Sequence, residues 1–71
     1  MTGALFSYPD AMRDDLDKAG VYPWTAGGEF ESLAKALVKA QEYAEEKNMP
    51  IEVTWLGTQR TVYPKAVGYG R

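Results

Sequence analysis

Residues 29–50 read EFESLAKALVKAQEYAEEKNMP, and this stretch decides the fold. Phe30, Leu33, Ala34, Leu37, Val38 and Ala44 recur at three- and four-residue spacing, the period of one apolar stripe on an α-helix. Glu29 and Glu31 stand where the positive end of the helix dipole favours acids, and Gly27-Gly28 supplies a break just before them. Lys47 lies in the last turn, Asn48 tolerates the left-handed conformation that closes a helix, and Pro50 cannot continue it. The spacing predicts a helix over 29–47. Ala36, Ala40 and Tyr43 fall on a secondary flank of it. Gln41 falls near the centre of the stripe, where a buried amide needs partners, such as a free edge of backbone.

Directly after this helix the period changes from helical to alternating. Residues 51–56 and 59–63 form the two arms of an antiparallel β-hairpin, closed by Gly57-Thr58 in a type II′ turn. That turn sets Leu56 opposite Gln59, Trp55 opposite Arg60, Thr54 opposite Thr61, Val53 opposite Val62 and Glu52 opposite Tyr63. One face then carries Ile51, Val53, Trp55 and Val62, and the other Glu52, Thr54, Gln59, Thr61 and Tyr63. The apolar face is expected on the helix stripe, with Leu33, Leu37, Val53 and Val62 nearly inaccessible.

Toward the N-terminus, Ser7 suits an N-cap and Pro9 a first turn, which predicts a short helix ending near Ala19 and Gly20. Met12, Leu16 and Ala19 share one face of it. Leu5-Phe6 has an alternative as an edge strand. Val21-Tyr22-Pro23-Trp24 reads as an extended connector sealing one end of the core. The tail from Lys65 to Arg71 reads either as a third strand through Val67 and Tyr69 or as a loose end, the glycines Gly68 and Gly70 favouring the latter. The fold class is thus α+β: a short N-terminal helix, then one long amphipathic helix packed on a C-terminal antiparallel hairpin. A third strand would come from the tail or the N-terminus.

Seventy-one residues are room for one domain, spanning 1–71, which buries only about 60% of the surface of its unfolded chain. Domains of this size often add a disulfide, a metal or a second subunit. The chain has no Cys and no His, so a homodimer or a binding partner gains weight. Residues 1–6 do not read as a signal peptide and no apolar run approaches about 20 residues, so the expectation is a soluble cytoplasmic protein without a membrane contact. The net charge of −2 is unevenly spread: Arg60, Lys65 and Arg71 stand against Glu52 alone after residue 50.

Without imidazole or thiol there is no common general base, no thiolate and no nitrogen or sulfur set for zinc. Ser7 and Ser32 have no evident base, and the glycine pairs match no phosphate-binding pattern. Asp10, Asp14 and Asp17 share a helical face, which reads as solvated surface rather than a paired-acid site. No enzyme, cofactor, metal or small-molecule substrate is therefore expected. Tyr43 reads either as covered by the N-terminal segment or as an exposed anchor. Trp55, Arg60, Tyr63, Lys65, Tyr69 and Arg71 interleave rings with cations, which can grip single-stranded nucleic acid; the plainer reading makes Trp55 core with Arg60 packed across its ring.

In size, single-domain organisation and lack of catalytic residue types, the chain resembles the small accessory proteins of bacteriophages and mobile elements. That resemblance of type implies a protein that binds and modulates a larger one. The leading expectation is a non-catalytic protein-binding module or inhibitor. The contact surface would be the hairpin's polar face, its free edge or the acidic first helix, with Tyr63, Arg60, Tyr43, Lys65, Tyr69 and Thr61 as the candidate contact residues. Nucleic-acid binding through the basic, aromatic hairpin and tail is the alternative, and a self-assembling structural subunit the third reading.

Overall fold

A computed structural model describes residues 2–65. The chain runs β1 (Thr2–Ser7), a 3₁₀ turn (Asp10–Met12), α1 (Arg13–Lys18), β2 (Thr25–Phe30), α2 (Leu33–Lys47), β3 (Ile51–Trp55) and β4 (Thr58–Val62). The strands form one antiparallel sheet in the order β2-β1-β3-β4. Helices and an antiparallel sheet are both present, as expected of an α+β chain, but the order is strand first and the sheet has four strands. The hairpin is its outer half.

The long helix stops where the sequence says it should. Asn48 adopts φ 58° and its N–H, like that of Met49, bonds the Ala44 carbonyl. Its start is later than the acidic residues imply: Ser32 is the N-cap, its Oγ accepting from the Lys35 N–H at 3.4 Å. Residues 29 and 30 belong instead to β2, so Gly27-Gly28 lies inside a strand. Gly28 has a tertiary reason: a Cβ there would lie 3.1 Å from the Phe30 ring, which folds back over it to meet Phe6 edge-on at 5.7 Å.

The buried stripe of α2 is Ala36, Ala40 and Ala44, all fully inaccessible. This corrects the expected stripe: Ala34 and Val38 face solvent, and Leu33 and Leu37 are half-buried. The helix lies closest to β3, where its small side chains let it approach Ile51 and Val53, and Phe6 and Phe30 from β1 and β2 join the same cluster. Phe6, Ile51 and Val53 complete the core, Val62 being only half-buried.

At the N-terminus the structure takes the strand alternative and moves it inward. β1 pairs with β2 on one side and β3 on the other, so it is central, not an edge. Ser7 is its last residue rather than a helix cap, and the short helix begins after Pro9 and ends at Gly20, φ 77°. In the hairpin, the turn is Leu56-Gly57, both left-handed at φ 49° and 75°, with Trp55 opposite Thr58 and Val53 opposite Arg60. The register therefore slides by two residues from the expected one. A shift of two preserves the faces, so Ile51, Val53, Trp55 and Val62 still share the helix side. The tail's strand through Val67 and Tyr69 lies outside the described residues.

Candidate functional site

Because α2 covers one side of the sheet, alternation sends every second side chain to the other. Cross-strand partners there build two rows. Gly27, Leu5, Thr54 and Gln59 form one; Thr25, Ser7, Glu52 and Thr61 form the next. Hydroxyls, an amide and a carboxylate dominate, and Leu5 stands among them 50% exposed. Its neighbour Phe6, pointing the opposite way, is 1% exposed.

The expected contact residues divide between regions. Thr61 is exposed on the uncovered face of β4, an outer strand of the sheet among the described residues. Arg60 is on the helix side of the same strand, exposed, its Nη1 donating to the Gln59 carbonyl at 3.1 Å. It faces Val53, so the expected stacking across Trp55 is replaced: Trp55 lies opposite Thr58 and donates its indole N–H to the Thr2 carbonyl at 3.3 Å. Tyr63 follows the strand, 46% exposed, and its carbonyl accepts from Gln41 Nε2 at 2.9 Å. Gln41 thus finds the backbone partner its position required. Lys65 is exposed. Tyr43 is elsewhere, half-buried with its ring 5.4 Å from Phe6 and 5.0 Å from Trp24, and Lys39 above it. The N-terminal strand and connector cover it. Tyr69 and Arg71 lie outside the described residues.

A cleft of about 210 Å³ opens beside the Leu5 end of the uncovered face. Leu5, Ser7 and Thr25 line it from the sheet and Arg13, Leu16 and Asp17 from α1. Leu16, 7% exposed, is the buried side chain of α1. The remaining wall is ring and proline: Tyr8-Pro9 leaving β1, and Tyr22-Pro23-Trp24 entering β2. Trp24 is fixed by three neighbours, with Tyr8 at 5.7 Å, Tyr43 at 5.0 Å and the Lys47 ammonium 4.4 Å over its ring. Burial raises the Tyr8 hydroxyl above its ordinary pKa. Tyr22, by contrast, is 85% exposed.

The cleft was not foreseen in the sequence, where 21–24 read only as a seal on the core. Trp24 does seal it; Tyr22 does not. The signal available was an aromatic beside proline in a connector too short to bury it. Arg13 pairs with Asp10 at 3.3 Å, not with Asp17 four residues on, because the 3₁₀ turn brings Asp10 close. Among the described residues no three acids gather where they could hold a metal ion, and no helix is long and apolar enough to cross a membrane. Comparison with models of protein families, with curated proteins and with solved structures returned no match.

Proposed function

We propose that this chain is a small non-catalytic protein-binding module that modulates a larger protein, in the manner of phage-type accessory proteins. One observation carries the reading. Among the described residues α2 covers the sheet on one side only, and the other side sets exposed Leu5 among hydroxyls, Gln59 and Glu52. Apolar anchors ringed by satisfiable polar groups suit a protein interface. Thr61 extends the same surface along β4, and the half-exposed Tyr63 follows directly after the strand.

The charge on that face argues for protein over nucleic acid. Its rows carry Glu52 and, beyond Gly27, Glu29, with no Lys or Arg among the residues paired across them. Backbone binding to a polyanion needs cations on the docking surface. Affinity capture from native lysate, with and without nuclease, tests the reading. A protein captured by the wild type should be lost with Thr54→Lys/Thr61→Lys and retained with Val38→Lys on the far side of α2. Loss of the captured species on nuclease treatment alone would overturn it.

A further inference from the structure

We infer that the cleft between α1 and the sheet binds an extended, proline-containing peptide segment that carries a basic side chain. This deepens the protein-binding reading and rests on it; the cleft shares Leu5, Ser7 and Thr25 with the rows of the sheet, but Thr54 and Thr61 lie outside it.

Three features of the cleft converge. Its volume, about 210 Å³, is below the roughly 300–1,000 Å³ of sites that enclose a whole small molecule. It therefore suits one or two side chains of a longer ligand lying across it. Its wall is made of rings and prolines, Tyr8-Pro9 and Tyr22-Pro23-Trp24, the surface against which polyproline II segments dock. Trp24 is already immobilised by Tyr43 and Lys47, so little ordering accompanies binding.

Hydrogen-bonding groups point the same way. Among the described residues the Tyr8 and Tyr22 hydroxyls and the Trp24 indole N–H have no hydrogen-bond partner. A polyproline II segment makes no internal hydrogen bonds, so its carbonyls are free to accept from such donors. Charge then selects the neighbour of the prolines. Arg13 is occupied by Asp10, whereas Asp17, which also lines the cleft, has no ion pair among the described residues. Asp14 and Asp15 extend the acidic surface along α1. A Lys or Arg beside the prolines meets this rim.

A second copy of the chain is a poor occupant. Of its four prolines only Pro64 stands directly beside a basic residue, Lys65, and Pro64 is fully buried and so not presented to another molecule. The partner is therefore another protein.

Fluorescence polarisation with three labelled ten-residue peptides tests this. The first has two Pro-x-x-Pro repeats and an arginine at each end; the second replaces the prolines with alanine, and the third the arginines with glutamate. The first should bind, and each control should bind about tenfold more weakly or not at all. Tyr22→Ala and Asp17→Lys should each weaken the arginine peptide about tenfold, and Asp17→Lys should also strengthen the glutamate peptide. Both sites are exposed, and unchanged circular dichroism confirms that the variants fold. No binding of the arginine peptide, equal binding of the alanine control, or indifference to Tyr22→Ala would each overturn the inference. The Thr54→Lys/Thr61→Lys capture result is independent of these outcomes, so the cleft can fail while the protein-binding reading stands.

Discussion

Phe6 and Leu5 are adjacent in β1, yet one is 1% exposed and the other 50%. They represent the two sides of the sheet. On one, Phe6, Ile51 and Val53 meet an alanine stripe with almost no access to water. On the other, hydroxyls and acids surround an incompletely covered leucine and a cleft. Burial of apolar area concentrates the stability on the first side, which leaves the second free to vary its chemistry.

The sharpest way to break this contrast is to truncate both neighbours. Phe6→Ala should cost about 3–5 kcal/mol, enough to unfold much of a domain this small, and Leu5→Ala about 1 kcal/mol or less. Urea denaturation measures both; equal losses would mean that the uncovered face is also core. A smaller effect is expected from enlarging the helix. Ala40→Leu should destabilise by about 1–3 kcal/mol because the helix must lift off the sheet, while Ala34→Leu on the exposed side stays within about 0.5 kcal/mol.

Two further effects are smaller. Leu56 holds a left-handed conformation at the hairpin tip, 69% exposed, where its side chain gains little burial. Leu56→Asn should raise stability by roughly 1 kcal/mol, seen as a higher melting temperature. Last, Tyr8 lines the cleft with a hydroxyl whose pKa burial has raised. Above about pH 10 the unfolded chain loses this proton while the folded chain keeps it, so stability falls as pH rises through that window and is unaffected below it. Tyr8→Phe should flatten the alkaline limb of a stability–pH curve.

What could be read from the sequence was what local chemistry decides. Asn48 and Pro50 stop a helix wherever it packs, and the alternation in 51–62 survives a two-residue slide because faces depend on parity. What could not be read was decided at a distance. Gly27-Gly28 has the composition of a break, and only the Phe30 ring folding toward Phe6 explains a glycine inside a strand. Ala36 and Ala40 look like a weak flank until the sheet, β3 nearest, lies close beneath them. Leu56 occupies a turn position that propensity assigns to Asn or Gly, so the tip falls one residue earlier than the sequence implies. For the candidate site, the side of the sheet on which Thr61 lies was legible from hairpin parity, whereas the cleft depends on how α1 meets the sheet.

The middle position of β1 has a consequence for the order of events during synthesis. β1 is made before either strand that flanks it, and one of its contacts, from Trp55 to Thr2, spans 53 residues. Until β3 has left the ribosome, the chain carries the centre of a sheet with an unfilled side. Helix α2, though made earlier than β3, has only half of its seat. Structure dominated by such distant pairings forms late, because the chain must close a long loop before the contacts reward it. A nascent chain halted anywhere before residue 51 should therefore remain sensitive to protease along its whole exposed length, and resistance should arrive in a single step as the hairpin emerges.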